Sequence, residues 1–229
     1  MAITVGNKST NSATPSANVL TFNHTQNVGD DGLLVIAIAM NKVNNTTTVK
    51  YNDVALTQIF KTNGSSNRYG YWELANPATG SNQVKINFTA NNWNPVGTFV
   101  TSFTGARAGG ASGNNDNQAT PHSRSLTVEA DSLIMQMAVS TANIGTGGQW
   151  TVDGANVSRT TLGISNFVSV GTSTTPLTAG SKTCLTVAPA GWMSLSNQRL
   201  EIRKAVVLTP TLSASVSSLS GFTYVEGSG

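Results

Sequence analysis

The stretch from Val49 to Thr89 contains three strand-like runs separated by turn residues, and it constrains the fold more than any other part of the chain. In its last run, Val84, Ile86 and Phe88 alternate with polar residues, which is the period of a half-buried β-strand. The dipeptide Asn52-Asp53 separates two apolar runs, and both residue types tolerate the left-handed backbone of a tight hairpin. This stretch therefore predicts an antiparallel sheet, and it contains no catalytic pattern.

Strand-like runs continue along the chain. The residues from Leu33 to Met40 form an unbroken apolar run, which is typical of a central strand buried on both faces. Near the other end, Leu200 and Ile202 alternate with charged residues. About a dozen short strands at regular spacing, with no credible helix, predict an all-β fold: a two-sheet antiparallel sandwich of jelly-roll type.

The second half of the chain repeats features of the first. Asp131-Ser132 precedes the run LIMQMAVS as Asp31-Gly32 precedes LLVIAIAM. Asp153-Gly154 follows a strand-like run as Asn52-Asp53 does, and it is the stronger hairpin signal of the two. Two interpretations stay open: two related halves that face each other, or the ordinary repetition of strands and turns in a β-sandwich.

The length of 229 residues suits a single large β domain that needs no disulfide or metal to hold its core. We assign residues 1–205 to this sandwich domain. After Ala205 the composition changes to a Pro/Ser/Thr-rich segment with short apolar runs. Residues 206–229 are therefore predicted to be a linker and the first strand of a further small β module.

Charge and hydropathy exclude several classes of partner. Charged residues make up only 10% of the chain, the formal net charge is +3, and no basic run occurs, which predicts no nucleic-acid partner. The run from Leu33 to Met40 is too short to cross a bilayer, which needs about 20 residues. The first ten residues lack the pattern of a signal peptide, so we expect synthesis in a cytoplasm and no membrane partner.

Few residues are candidates for chemistry. Cys184 is the single cysteine and is predicted to be a small core residue rather than a nucleophile. His24 is expected at the end of a strand, bonded to backbone, because no second metal ligand lies near it. The adjacent acids Asp30 and Asp31 are interpreted as a solvated turn, with a calcium site as the alternative.

Enzymatic patterns are incomplete. Glu129-Ala-Asp131 begins the Glu-x-Asp-x-x-Glu pattern of jelly-roll glycosidases, but Ile134 stands where the second glutamate should be. The nucleophile pattern G-x-S-x-G does not occur. We therefore predict that the chain is not an enzyme and has no catalytic residues, cofactor or metal.

The segment from Gly105 to Arg124 is the longest irregular stretch, and loops of this length in compact domains are usually functional or mobile. We predict a surface loop in contact with a subunit or partner. The candidate contact residues of this loop are polar: Asn114, Asn115, Asp116, Asn117 and His122. We expect His122 to be exposed.

Four aromatic residues are candidates for contact with a glycan or partner: Trp93, Trp150, Tyr69 and Tyr71. Exposed rings would stack on sugars. The alternative, which we favour, is that they pack in the core or in loops.

Several motifs occur together: Val49–Thr57 as a hairpin, Tyr71–Gly80 as a strand end, an alternating strand at Val84–Thr89, Ser102–Gly105, and Thr120-Pro121. In this combination the chain resembles a family of uncharacterised β-sandwich domains of phage virion proteins and bacterial surface proteins. Asp53 stands where that family usually has glycine. The segment Leu219–Gly229 resembles the opening of Ig-like modules in surface and phage proteins.

The resemblance implies a structural protein of a bacteriophage virion: an anchor of a head or tail fibre or appendage, or a capsid decoration protein. Such a protein would be made in the host cytoplasm, dock to other capsid or tail proteins and self-associate, with a homotrimer expected by analogy. Host attachment through a surface glycan is a further possibility. The alternative function is a carbohydrate-binding or adhesion module of a surface protein.

Overall fold

The computed structural model describes residues 2–27, 32–41, 46–61, 67–89, 95–118, 122–140, 150–162, 168–187 and 195–206. These residues form strands and turns, with no helix among them. The strands are β1 (Thr4–Ala13), β2 (Val19–Gln26), β3 (Gly32–Asn41), β4 (Thr46–Tyr51), β5 (Val54–Ala55), β6 (Thr57–Lys61), β7 (Asn67–Ala75), β8 (Gly80–Phe88), β9 (Val96–Thr104), β10 (Ala106–Arg107), β11 (Ser112–Gln118), β12 (His122–Val128), β13 (Leu133–Ser140), β14 (Trp150–Val152), β15 (Ala155–Asn156), β16 (Ser158–Leu162), β17 (Val168–Thr172), β18 (Gly180–Thr186) and β19 (Leu195–Lys204).

The strands form four antiparallel sheets. The first inner sheet has the order β1-β9-β3-β7-β6, and the first outer sheet has the order β2-β8-β4-β5. The second inner sheet runs β11-β19-β13-β17-β16, with β10 also paired to β19, and the second outer sheet runs β12-β18-β14-β15. Each inner sheet packs against its outer sheet, and we call these pairs the first and second sandwich.

The two sandwiches have the same strand order. Adding ten to each strand number of the first sandwich gives the corresponding strand of the second. The registers agree as well: Gly80 and Gly180 begin equivalent strands, each with a positive φ, and each pairs with the last residue of the strand beside it. The structure therefore contains two related halves, as one of the two interpretations of the repeated sequence features predicts.

In the part of the chain that the structure describes, three apolar cores hold the layers together. The first core lies between the sheets of the first sandwich, and the second core lies between those of the second. A central core, formed by β3, β7 and β9 with β13, β17 and β19, joins the two inner sheets. Along β3, Leu33 and Val35 face the central core while Leu34 and Ile36 face the first core, which confirms a strand buried on both faces.

The predicted all-β antiparallel sandwich is confirmed, with four sheets where two were expected. In a single sandwich the outward face of the inner sheet would be exposed to solvent. Here the two inner sheets cover these faces for each other, and the central core lies between them. Both predicted hairpins are present: Asn52 and Asp53 connect β4 to β5, and Asp153 and Gly154 connect β14 to β15. All four residues have positive φ, as a two-residue hairpin turn of this type requires. Of the predicted linker and module at 206–229, only Val206 is among the described residues.

Candidate functional site

The aromatic residues proposed for glycan contact are buried where the structure describes them. Tyr69 and Tyr71 lie on β7 and point into the central core, with exposures of 3% and 0%. Trp150 begins β14 and points into the second core at 2% exposure. Stacking of these three rings on a sugar is therefore contradicted, and the packing interpretation is confirmed for them. Trp93 lies outside the described residues.

The predicted contact loop between Gly105 and Arg124 is wrong in its secondary structure, since the segment contains β10, β11 and the start of β12. Asn114 and Asn115 belong to β11 and pair with Gln198 and Asn197 of β19. Asp116 and Asn117 follow at a shift in register. The Asn-rich sequence favours a loop, but the backbone bonds to β19 outweigh that preference.

His122 was expected to be exposed, and this is also wrong. It is the first residue of β12, on the same side as Leu126 and Val128, and it is 2% exposed. Burial, followed by the charges of Arg124 and Arg199, lowers the pKa of His122 to about 4. The imidazole is therefore neutral at physiological pH. The alternation of Leu126 and Val128 is the sequence signal that could have placed it inside.

The second core contains a polar pair that the first core lacks. Gln136 lies directly opposite Arg199 in the second inner sheet, and both are buried. The equivalent positions in the first inner sheet hold Ile36 opposite Val100. Because Leu200 and its alternate neighbours face the central core, Arg199 faces the second core.

The outer sheets differ in the same way. His122 lies opposite Thr186 in the second outer sheet, where the first outer sheet has Leu20 opposite Ile86. The polar residues of the two facing sheets therefore form one layer, which we call the polar layer: His122, Gln136, Thr186, Asn197 and Arg199.

Hydrogen bonds in the polar layer join the two sheets. Asn197 Nδ2 donates to Thr186 Oγ1, and Gln136 Nε2 donates to the carbonyl oxygen of Thr151 at 3.3 Å. Within the described part of the chain, no partner is found for either ring nitrogen of His122, for Gln136 Oε1 or for Asn197 Oδ1. Burying polar atoms without partners is unfavourable, so this layer stabilises the fold less than its apolar counterpart.

A smaller polar cluster lies in the first sandwich. Ser9 Oγ is 2.8 Å from His24 Nδ1, and Asn82 Nδ2 donates to the Tyr51 hydroxyl at 3.3 Å. The rings of His24 and Tyr51 meet edge to face. Burial lowers the pKa of His24. His24 lies near the end of β2, as expected, but its ring contacts Ser9 rather than a backbone group.

Glu201 is a buried carboxylate at the end of the second sandwich. Its two oxygens accept hydrogen bonds from the Ser132 hydroxyl, the Ala111 amide and Arg203 Nε at 2.9 Å each, and from the Glu129 amide at 2.5 Å. Burial raises the pKa of Glu201, but these bonds outweigh burial and lower it. The carboxylate therefore fastens the segment before β11 to β19.

An open cavity of about 340 Å³ lies where the chain leaves the second inner sheet. Its lining is mostly small: Gly32, Ala75, Asn76, Ala106, Arg107, Ala108, Ala205 and Val206. Among the described residues that line the cavity, Arg107 is the one that carries a charge, and its guanidinium pairs with Glu129 at 2.7 Å. This lining offers no nucleophile and no general base.

The remaining candidates for chemistry are placed as follows. Cys184 is fully buried in the second core, and burial raises the pKa of its thiol to about 12, which confirms it as a core residue. Ile134 is buried as well, while Asp30 and Asp31 lie outside the described residues. No group of three or more His, Cys, Asp or Glu that could hold a metal occurs in the part of the chain that the structure describes. Among the same residues no helix is long and apolar enough to cross a membrane.

The fold and these sites define a duplicated all-β sandwich protein with a polar layer in one half. In comparisons with known proteins, no family model and no curated protein matches this chain.

Proposed function

We propose that this chain is a non-catalytic structural protein of a bacteriophage virion, an anchor of a head or tail fibre or appendage or a capsid decoration protein. It docks to other capsid or tail proteins and self-associates. The observation that carries the proposal is the duplicated strand order of the two sandwiches.

We infer that each sandwich is a jelly roll. Without β6, the first sandwich has four strands in each sheet, in the orders β1-β9-β3-β7 and β2-β8-β4-β5, and the second repeats them. A jelly roll combines two such sheets from eight strands, and it recurs in viral capsid proteins and in lectins. The link from this fold to a virion is an analogy, which the sequence motifs of the first half support.

The construction of the chain suits a scaffold. Among the described residues, seventeen buried apolar side chains form the central core and join both inner sheets, so each sandwich supports the other. Buried polar groups such as the Glu201 carboxylate hold segments of backbone in place and do not line an open cleft. These features support a role in which shape and rigidity matter more than chemistry.

The sheet edges support the proposed self-association. In the described residues β12 pairs with one strand, β18, and β2 with one strand, β8, while at the other edge of β2 Val19 bonds to the Ser16 backbone and the Thr25 carbonyl oxygen accepts from Asn7 Nδ2. An edge strand can add a strand from a second copy through its free backbone groups. A glycan-binding module remains the alternative function, but the buried Tyr69, Tyr71 and Trp150 remove the aromatic contacts on which it depended.

The proposal is tested on particles. Gradient-purified virions of a phage that encodes this chain should contain it in a fixed ratio to the major capsid protein, measured by mass spectrometry. Light scattering of the purified protein should give a multiple of 23.8 kDa, with a trimer expected. A chain found only in the lysate, never in particles, would contradict the virion role.

A further inference from the structure

The outward face of the first outer sheet carries two lysines side by side. Lys50 of β4 lies directly opposite Lys85 of β8, and both side chains are partly exposed. Alternation places them on the outside, because Val49, Val84 and Ile86 point into the first core. Like charges directly opposite each other on a sheet are destabilising, so this pair costs stability.

The strands of this sheet supply no negative charge to compensate the lysines, and its one described acid, Asp53, lies in the turn between β4 and β5. The four strands β2, β4, β5 and β8 contain neither Asp nor Glu. Within the described residues, the ion pairs involve other side chains, and neither Lys50 nor Lys85 takes part in one. The face therefore presents two adjacent positive charges to solvent.

The duplicated fold shows that the sheet does not need these charges. The row across the first outer sheet is Thr21, Lys85, Lys50 and Ala55. The equivalent row across the second outer sheet is Ser123, Leu185, Thr151 and Asn156. Since the same architecture forms with an uncharged row, folding alone does not explain the lysine pair.

The surroundings of the pair indicate the partner. Apart from Ala55 beside Lys50, the neighbouring outward positions are polar and uncharged, and they include Thr48, Asn23 and Gln83, which are exposed. Hydroxyl and amide groups match the hydroxyls of a sugar chain, and lysine ammonium groups match its anionic substituents. A protein that binds duplex DNA commonly contacts about 6–10 phosphates, and two positive charges are few for that task. A lipid surface would require an apolar face, which this sheet lacks.

We propose that the outward face of the first outer sheet, centred on Lys50 and Lys85, binds a polysaccharide that carries anionic groups. The polysaccharide runs across the strands. Its negative groups contact the two lysines, and its hydroxyls contact the flanking Thr, Asn and Gln side chains. This binding does not depend on the virion role, and the two fail separately: one is measured on the purified chain and the other on particles.

Biolayer interferometry of the full chain on immobilised dextran sulfate and on unsulfated dextran tests the proposal. The K50T/K85T variant should bind dextran sulfate about tenfold more weakly, since two exposed charge contacts are lost. The matched control K8T/K61T removes the same net charge from β1 and β6, and it should bind within about twofold of the unaltered chain. K50R/K85R keeps the charges and should retain binding.

Equal losses in K50T/K85T and K8T/K61T would show that net charge alone drives binding and would overturn the proposal. So would equal binding to sulfated and unsulfated dextran. Duplex DNA serves as a competitor: if it binds more tightly than dextran sulfate and depends on the same two lysines, the partner is nucleic acid and the polysaccharide is excluded. Thermal unfolding followed by circular dichroism confirms that each variant is folded.

Discussion

Gln136 lies directly opposite Arg199 on neighbouring strands, and both side chains are buried in the second core. The same two positions of the first sandwich hold Ile36 and Val100. The first sandwich is therefore an internal reference for this pair, because it has the same strand order and register but an apolar row where the second sandwich has a polar one. Among the described residues Gln136 Oε1 has no hydrogen-bond partner, and burying such an atom is unfavourable, so the comparison identifies a position at which the second sandwich is less stable than the first.

We expect Gln136 and Arg199 to be energetically coupled. Gln136→Ile or Arg199→Val alone leaves the other polar side chain beside an apolar one, whereas the double change restores the row of the first sandwich. The double variant should therefore lose less stability than the sum of the single changes, by at least about 0.5 kcal/mol. Urea denaturation of the four proteins measures this coupling.

The control for that cycle combines Gln136→Ile with Val100→Ala. These residues belong to different sandwiches and point away from each other, so their effects should add within about 0.5 kcal/mol. Additive effects of the Gln136 and Arg199 changes would contradict a coupled polar layer.

His122 should make stability depend on pH. Its pKa is about 4 in the folded protein against 6.5 for the free group, so between these values the unfolded chain binds a proton that the folded chain does not. As the pH falls from 6.5 to 4, the free energy of unfolding should fall by up to about 3 kcal/mol from this group, and below that window its effect should level off.

The His122→Leu variant introduces the residue found at the equivalent position, Leu20. It should lose this part of the pH dependence and be more stable at pH 7 by about 1 kcal/mol, because a buried imidazole is replaced by an apolar side chain. Chemical denaturation between pH 7.5 and pH 4 checks both effects. Ser125→Ala, on the exposed side of β12, should keep the original slope; an unchanged slope in His122→Leu would disprove the assignment.

Local sequence patterns predicted the parts of the fold that depend on local chemistry. The unbroken apolar run at Leu33–Met40 correctly predicted β3 as a strand with two buried faces. The turn residues at Asn52-Asp53 and Asp153-Gly154 correctly predicted two hairpins. The repeated acid, small residue and apolar run at Asp31 and Asp131 left two interpretations open, and the repeated strand order agrees with the one that proposes related halves.

What sequence reasoning missed depends on contacts between distant segments. β11 has few apolar residues, and its pairing with β19 is a tertiary interaction that its own sequence does not encode. The number of sheets was missed because a strand buried on both faces looks the same whether a second sheet or a second sandwich covers it. The polar layer was missed because Gln136 and Arg199 are 63 positions apart and meet only through the register of β13 and β19.

The hairpin at Asp53 should be strained relative to its counterpart. Asp53 has φ of 60° and Gly154, in the equivalent turn, has φ of 81°. Glycine adopts this region without steric cost, whereas a residue with a side chain is less stable there. Asp53→Gly should therefore stabilise the protein by about 0.5–1 kcal/mol, and Gly154→Asp should destabilise it by a similar amount. Thermal and urea unfolding of both variants measure the two shifts, and shifts of the same sign would contradict the equivalence of the turns.

Glu201 should contribute far more to stability than its neighbour Glu129. Glu201 is 1% exposed and accepts four hydrogen bonds, two of them from backbone amides, while Glu129 pairs with Arg107 and Arg203 at the surface. In Glu201→Gln the new amide group faces donors, and Arg203 loses its buried partner, so the loss should be about 3 kcal/mol.

The matched change Glu129→Gln alters exposed ion pairs only, and it should cost less than about 1 kcal/mol. The pKa of Glu201 is lowered in the folded protein, so the native state binds its proton at lower pH than the unfolded chain does. Its stabilising effect is therefore complete above the unfolded pKa and is lost as the pH falls through the folded pKa, and Glu201→Gln should remove that acid dependence while Glu129→Gln retains it. Equal losses in the two variants at neutral pH would show that the buried network around Glu201 does not fasten the segment before β11.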